Sequence, residues 1–476
     1  MRFRELVNKT VVIWGAGREG LTAYADLARH GVDAEFALTG SGAAPEGLPA
    51  PAHTGDDALE RLLSADAVVK SPGIPHTSPE YRALTEAGVT ITSLMDLWLT
   101  ENRDRVIGVT GTKGKSTTSS LIHHVLNEAG VRSQLAGNIG IPVSHPIDPT
   151  TQVAVTEISS YQAAELTTTP SVAVITSLYP EHLPWHGDYD SYVRDKLRLI
   201  SVGETQVVIT ENDEALRASV RANVHPLSTV MTPSRLGITV TDTSIDWQGV
   251  GSVLREDLSL RGTHNLANAA VALAAATRYA PAADRRTLLA ALRTFAPLSH
   301  RLETVPSGDG RTWVDDGLAT APEAVIAALT AFADRDVTLI AGGAERWLDY
   351  DVLVRHITQQ DVAVQNTQAS ASLRIVSTGP AGTRLASLLR DENVDVTDAG
   401  SFAEALRWAD THTPQGGVVL LSPAAPSFDE FADYEARSAA FREGAAAAVL
   451  TKDASNATTD TDSANHNAVS ASDERP

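Results

Sequence analysis

The densest chemistry in the chain stands in one short stretch, Thr110-Gly111-Thr112-Lys113-Gly114-Lys115-Ser116-Thr117, between a β-rich run and an amphipathic segment. Glycines there let backbone N–H groups close on phosphate oxygens, Lys115 offers a point charge to β- and γ-phosphates, and Ser116 or Thr117 can reach Mg²⁺. Gly111, Thr112, Lys113, Gly114, Lys115, Ser116 and Thr117 are therefore the expected triphosphate-binding residues. The general form of such a loop has a glycine where this chain has Val109, a departure that narrows the class of loop. A plain glycine-rich turn with a solvated lysine is the bland alternative, and it does not explain why strand, loop and helix fall in the required places.

A second phosphate-type turn is Gly15-Ala16-Gly17-Arg18-Glu19-Gly20, directly after a strand, with Glu35 expected at the end of the next strand. Alone, that is the dinucleotide fingerprint, but the same turn can hold any diphosphate on a helix amino terminus. Further along, Glu157 ends a strand and is followed by Ser159, Ser160, Tyr161 and Gln162, while His182 follows the next strand. A lone histidine is more often a satisfied residue than a ligand. A carboxylate and a histidine at successive strand ends make a better case, because Mg²⁺ needs few protein ligands once phosphates contribute. Lys196, among Arg194, Asp195 and Arg198, reads from its neighbours alone as an exposed helix lysine.

These residues need elements to place them. Thr10–Trp14, Val32–Phe36 and Ala65–Val69 read as strands, with a helix over Leu21–His30. A second series runs Arg105–Thr110, Val153–Thr156, Val172–Thr176 and Gln206–Thr210 and closes with an Ala-rich helix around Asn268–Tyr279. Within the helix Ser116–Ala129, Leu121, Ile122, Val125 and Leu126 recur at helical spacing and Gly130 supplies the stop. Leu302–Val305 and Thr312–Val314 flank Pro-Ser-Gly-Asp-Gly, a hairpin signal that should bring Arg301 and Asp316 together at its open end. Helix Ala321–Ala331 and strands Val337–Ala341, Leu373–Val376 and Gly417–Leu421 follow. Strands alternating with helices imply parallel sheets, hence an α/β protein.

Composition bounds the function. A length of 476 residues at about 150 per domain suggests three cores. With 38 Lys plus Arg against 59 Asp plus Glu, the net charge of −21 argues against an electrostatic grip on nucleic acid or anionic lipid, so any phosphate must be held locally. No cysteine is present, which removes disulfides, thiolate metal sites and a cysteine nucleophile. The stretch before Gly15 has too short an apolar run for a signal peptide, and none elsewhere approaches the roughly 20 residues of a spanning helix. A soluble, cytoplasmic protein is expected. Residues 451–476 have almost nothing to bury against an ordering cost of about 1–2 kcal/mol each, and read as disordered.

The segments GTKGKST at 111–117, LAGNIG at 135–140, EISSYQ at 157–162, EHLPWHGDYDSYVRDKL at 181–197, GTHNLANA at 262–269, HRLE at 300–303 and LLSPAAPSFDEF at 420–431 resemble, in order and spacing, the Mur ligases. The resemblance covers about residues 5–448 and is closest to members that add glutamate to UDP-N-acetylmuramoyl-L-alanine. It implies a Rossmann-like domain for the UDP end over 1–100, a central P-loop-type ATPase over 101–298 with a mostly parallel sheet, and a Rossmann-like glutamate domain over 299–450. It implies ATP and two Mg²⁺ ions, and a monomer in the service of peptidoglycan precursor synthesis. The glycine turn then serves the uridine nucleotide, through Gly15, Gly17, Gly20, Ser71 and Gly73, in place of NAD.

By the same resemblance, Lys115, Glu157, His182, Lys196 and Arg301 are catalytic, and Ser116, Glu157, His182 and Lys196 surround the metal. Asn138, Ser159, Gln162 and His182 face the muramoyl-alanyl end; Asn265 and Asn268 face adenine, Asp316 the ribose and Arg301 the phosphates. The matching lysine in Mur ligases carries a carbamate that bridges to a second Mg²⁺. A free lysine is only about one part in a thousand neutral at pH 7, so Lys196 would need burial to react with CO₂. Thr320, Ser427 and Tyr434 match the family's glutamate contacts. Leu318 and Arg346 stand where D-glutamate enzymes have lysines, and Arg binds carboxylate in a different geometry from Lys. Those departures, with WGAGREG, Lys113 where asparagine is usual, and LYPEHLPWHG, are similar to the smaller branch that adds L-glutamate and relies on a partner epimerase. D-Glutamate, a folylpolyglutamate synthetase-like ligase and an NAD(P)-dependent oxidoreductase are the alternatives.

Overall fold

In the computed structural model, the β-branched apolar runs form strands and the amphipathic stretches between them form crossover helices. The structure describes residues 1–447 apart from 41–43, 46, 138–142, 144–146, 148–149, 211–212, 261, 297–298, 321, 346–347, 349 and 367–371. Asn138, Arg346 and the tail 451–476 thus lie outside the described residues. The chain divides into two compact units, Met1–Ala296 and Pro297–Pro476.

The first unit opens with β1 (Val11–Trp14), β2 (Ala34–Leu38), β3 (Ala52–Thr54), β4 (Ala67–Lys70) and β5 (Thr90–Thr92), all parallel in the order β3-β2-β1-β4-β5. Its helices are α1 (Arg18–Arg29), α2 (Gly55–Leu63) and α3 (Pro79–Glu86). Every residue of β1 and β4 is buried, as strands covered on both faces require. The winding reverses between β1 and β4, and that reversal opens a crevice at their carboxyl ends, the place where open α/β sheets take ligands. Helix α4 (Leu94–Asn102), capped by Ser93, buries Leu94 through Leu99 and so has no wet face along that stretch. Its side chains belong to one apolar cluster with Ile13 and Val69 of the first sheet and Ile158 and Leu197 further on.

The second sheet is β6 (Val106–Thr110), β7 (Ser133–Gly137), β8 (Val153–Glu157), β9 (Val172–Ile175), β10 (Val207–Thr210) and β11 (Thr229–Met231), again parallel, in the order β11-β10-β9-β6-β8-β7. The helices that serve it are α5 (Lys115–Glu128), α6 (Ser160–Ala163), α7 (Leu183–His186), α8 (Tyr189–Ser201) and α9 (Glu214–Asn223). In α5, Leu121, Ile122, Val125 and Leu126 are fully buried, each stabilising by about 1.5–3 kcal/mol, which outweighs the weak helix propensity of its Ser/Thr-rich start. A small antiparallel sheet, β12 (Ile238–Val240), β13 (Ser244–Trp247) and β14 (Gly251–Leu254), precedes α10 (Thr263–Tyr279) and α11 (Arg285–Thr294). Alanines 269, 270, 272, 274, 275 and 276 of α10 are buried, the small side chains allowing close approach to α5.

The second unit contains β15 (Glu303–Val305), β16 (Thr312–Asp315), β17 (Val337–Gly342), β18 (Leu373–Thr378), β19 (Thr397–Asp398) and β20 (Val418–Leu421), ordered β15-β16-β20-β17-β18-β19. Only the β15–β16 hairpin is antiparallel, with Glu303 opposite Asp315. Helices α12 (Pro322–Ala331), α13 (Asp351–Asn366), α14 (Gly379–Asp391) and α15 (Phe402–His412) are followed by a helix over 434–447. Among the described residues no helix is long and apolar enough to cross a membrane.

Candidate functional site

At the crevice between β1 and β4, Gly15 has φ +103° and a Cβ there would come within 2.8 Å of Ser71 Oγ; at Gly20 it would meet Gly15 O at 2.0 Å. Gly17 borders open space. Packing therefore demands Gly15 and Gly20, and does not demand Gly17. Ser71 donates its hydroxyl to Gly15 O at 3.4 Å, and Ile74 N closes the Ser71-Pro72-Gly73 turn onto Ser71 O at 3.2 Å. Of the expected residues, Gly15, Gly20 and Ser71 pack against one another at the carboxyl end of β1. Glu35 departs from expectation: it is the second residue of β2, not its end. Arg61 Nε at 2.7 Å and His53 at 3.1 Å hold its carboxylate, the Arg61 hydrogen bond drawing its pKa below the usual value. The acidic half of the dinucleotide fingerprint is committed elsewhere.

The phosphate-type loop lies between β6 and α5, at the centre of the second sheet. Gly111 (φ +152°) would place a Cβ 2.0 Å from Thr176 Oγ1, and Gly114 (φ +84°) 2.4 Å from Asn268 Oδ1, so both positions admit only glycine. Thr112 shares a hydrogen bond of 2.6 Å with Tyr192 OH and donates to Tyr179 O at 3.1 Å. Lys113 pairs with Glu181 at 2.7 Å. Lys115 Nζ folds back on its own loop, donating to Gly111 O and Thr112 O at 3.0 Å each. Ser116 and Thr117 occupy the first turn of α5, Ser116 buried.

Lys196 is where structure and neighbours-only reading part. It sits on the inner face of α8, 2% exposed, and its amine donates to the same Gly111 O at 2.9 Å, 4.9 Å from the Tyr192 ring centroid. Burial, reinforced by the charge of Lys115, pushes its pKa well below the ordinary lysine value, although Glu181 and Glu157 pull the other way. Glu157 ends β8 and is 1% exposed. His182 adopts φ +56°, a left-handed conformation rare for a non-glycine residue, at the start of α7. Its ring is 4.9 Å from Tyr161, and burial keeps its pKa below 6.5, with Lys196 and Lys115 lowering it further against Glu181. Neutral imidazole is thus the resting form at neutral pH.

Other expected residues have structural duties. Ser159 and Gln162 form the capping box of α6, Ser159 Oγ accepting from Gln162 N at 3.2 Å and Gln162 Oε1 accepting from Ser159 N at 2.9 Å. Gln162 Nε2 also donates to Glu19 at 2.9 Å. Asn268 donates to Asn265 Oδ1 at 2.9 Å and accepts from Thr118 at 3.2 Å, bracing α10 against α5. Glu181, Tyr192 and the buried His186–Asp195 pair at 2.7 Å were not singled out from sequence. The only signal for them was proximity to His182 and Lys196.

In the second unit, the hairpin closes as expected. Leu302 N donates to Asp316 Oδ1 at 3.2 Å, and the exposed Arg301 acts electrostatically on the same carboxylate. Burial raises the Asp316 pKa to about 7, against the opposing hydrogen bond from Ser422 at 2.7 Å. Three loops converge beside it. Ala424 N donates to Ala319 O at 2.8 Å, bringing the segments of Thr320 and Ser427 together, and Ala344 N donates to Pro426 O at 2.9 Å. Arg437, absent from the sequence reading, is 2% exposed and donates to Gly342 O, Gly317 O and Ala425 O, one carbonyl from each loop. Tyr434 instead lies against the His300 ring at 5.6 Å.

The family profile described as Mur ligase middle domain matches residues 109–276. The chain is 41% identical to a UDP-N-acetylmuramoyl-L-alanine--L-glutamate ligase of Micromonospora sp. over 93% of this chain and 98% of that one. It is 39% identical to the ligase of the same name from Salinispora tropica, with the same coverage, and 35% identical to that of Xanthomonas oryzae pv. oryzae, over 93% and 96%. In fold it is similar to the MurF ligase of Thermotoga maritima in complex with ADP, at a TM-score of 0.57 and 14% identity over 93% and 96% of the two chains. It is similar also to the folylpolyglutamate synthase of Mycobacterium tuberculosis, at 0.54 and 16% over 73% and 93%.

Proposed function

The chain belongs to the Mur ligase family, and from that membership we propose that it is an ATP-dependent ligase joining L-glutamate to the alanyl carboxylate of UDP-N-acetylmuramoyl-L-alanine in peptidoglycan precursor synthesis. The observation that carries the reading is the convergence of Lys115 and Lys196 on one loop carbonyl, with Glu157 and His182 close enough to act on the Lys196 charge or be acted on by it. Everything on the reaction path is anionic: the ATP γ-phosphate, the alanyl carboxylate, the acyl phosphate formed between them, and the departing phosphate. A fixed cluster of cations and loop N–H groups in a dry setting stabilises such charge far more than water does.

In this mechanism Lys115 exchanges its loop carbonyls for the β- and γ-phosphate oxygens. The N–H groups at the start of α5 line the same phosphates. The donor set fits Mg²⁺: a buried carboxylate on Glu157, the Ser116 hydroxyl and the neutral imidazole of His182. The ion would supply charge neutralisation at the transferred phosphoryl. Lys196 suits carbamate formation, because burial pushes its amine toward the neutral form that reacts; the N–C bond forms to CO₂ as the amine releases one proton. Isotope-labelled bicarbonate should yield a carbamate carbon on Lys196 by NMR, and its absence with Lys196→Arg serves as the control.

We assign the first sheet to the UDP end, the second to ATP and the second unit to the incoming glutamate, with domains over 1–100, 101–298 and 299–450. In that unit Arg301 is assigned to phosphate, Asp316 to the ribose, and Thr320, Ser427, Arg346 and Tyr434 to glutamate. A cytoplasmic monomer working alongside a glutamate epimerase completes the reading. A folylpolyglutamate synthase-like function would leave the glycine crevice of the first sheet unused, and an NAD(P) function would need the Glu35 carboxylate that Arg61 and His53 occupy. The test is product mass: incubation with UDP-N-acetylmuramoyl-L-alanine, glutamate and ATP should release one ADP per amide formed. Failure to form an amide with L-glutamate overturns the proposal.

A further inference from the structure

Lys70 ends β4, immediately before the Ser71-Pro72-Gly73 turn, and its side chain is 0% exposed. A buried ammonium needs a partner, and this one is Glu165 Oε1 at 2.9 Å, two residues past α6. Lys70 Nζ also donates to Ile74 O at 2.7 Å, closing the turn, and lies 5.3 Å from the Trp185 ring centroid. The same Glu165 oxygen takes His76 Nε2 at 2.5 Å. His76 in turn is 5.0 Å from the Trp185 ring. Trp185 is in α7, directly after His182, and both rings flank Tyr161, at 4.8 and 4.9 Å. One contiguous cluster, with the Lys70–Glu165 pair buried at its centre, therefore joins the turn beside the glycine crevice to the segment carrying His182.

We propose that Lys70, through Glu165 and His76, is a positioning residue that fixes the spacing between the crevice holding the uridine diphosphate end of the substrate and the His182 segment receiving its carboxylate end. This rests on the proposed function for the identity of the substrate. A ligand that spans both places feels the spacing; a fragment that fills one does not. The ion pair suits such a role because separating its partners would leave an uncompensated buried charge, which is strongly unfavourable.

The test uses the full chain with Glu165→Gln, which keeps the shape and removes the charge, and Lys70→Met, which removes the ammonium. Both are expected to raise KM for UDP-N-acetylmuramoyl-L-alanine at least tenfold, with Lys70→Met the larger, while KM for glutamate, affinity for ADP and, for Glu165→Gln, inhibition by UDP alone change by less than twofold. The double variant is expected to lose no more than Lys70→Met. Hydrogen exchange without substrate reads the joint independently of turnover: exchange at residues 71–76 should rise in both variants and stay level at 111–115. Unchanged exchange overturns the proposal, as does equal weakening of UDP and the whole substrate by Glu165→Gln. An inactive wild type whose variants nonetheless show the exchange rise would sink the proposed substrate and keep the joint.

Discussion

Two buried ionisable groups show what the two units are built to do. Lys196 in the first unit and Asp316 in the second are both almost sealed from water, and burial pushes both toward the neutral form, the lysine down and the aspartate up to about 7. Their surroundings differ. Lys196 stands beside the cation Lys115 and shares the Gly111 carbonyl with it, and that neighbouring charge adds to burial in favouring the neutral amine. Asp316 accepts from Ser422 and Leu302 N, so its carboxyl is fixed in place by neutral donors, with Arg301 acting from the surface. The first arrangement favours a neutral amine; the second holds a buried carboxyl in one place. Local surroundings, not the charge of the whole chain, set the state of each group.

The largest expected effect comes from breaking the lysine side of that contrast. Lys196→Ala should lower the rate on the order of 10³-fold or more, with high concentrations of a short carboxylate restoring part of it. Full activity in the plain variant would remove Lys196 from the mechanism. Next, the aspartate gives a pH signature of opposite sign to the lysine's. The folded Asp316 pKa exceeds the unfolded value of 3.8, so the folded unit binds more protons between about pH 4 and 7 and its stability falls across that window. The loss is up to about 4 kcal/mol at roughly 1.4 kcal/mol per pKa unit. Lys196, whose folded pKa is lowered from 10.5, contributes stability that rises with pH toward that value. Urea unfolding of wild type and Asp316→Asn as a function of pH should show the extra slope only in wild type; parallel curves would contradict the assignment.

A smaller effect sharpens the loop geometry that brings the lysines together. Gly111→Ala forces a Cβ onto Thr176 Oγ1 at φ +152° and should cost about 1–3 kcal/mol with loss of ATP binding, read by thermal melting and nucleotide titration. The smallest is expected at the half-exposed Lys113–Glu181 pair, where Lys113→Ala should raise KM for ATP only a few-fold, as exposed pairs contribute about 0–1 kcal/mol.

The parallel sheets, the phosphate loop and the hairpin were legible from sequence because each depends on local pattern: β-branched runs, glycines at fixed spacing, and Asp309-Gly310 between strands. The crevice was half legible; the glycines showed it, but Glu35 was misplaced along β2 because its strand begins at Ala34, later than Val32 suggested. Lys196 looked exposed among charged neighbours, and only α8's packing turns it inward beside buried Asp195 while Arg194 faces out. The short strands β12–β14 left no lasting alternation. Lys70, Glu165 and Arg437 were invisible for a different reason: their partners lie far away in sequence, and nothing local distinguishes a buried charge from a solvated one.

The central claim is that this chain uses its cationic loop to activate the alanyl carboxylate for attack by L-glutamate. Its most direct test measures ADP release with UDP-N-acetylmuramoyl-L-alanine and each glutamate enantiomer separately. Turnover is expected with L-glutamate and little with D-glutamate; strict dependence on D-glutamate would contradict the proposed reaction.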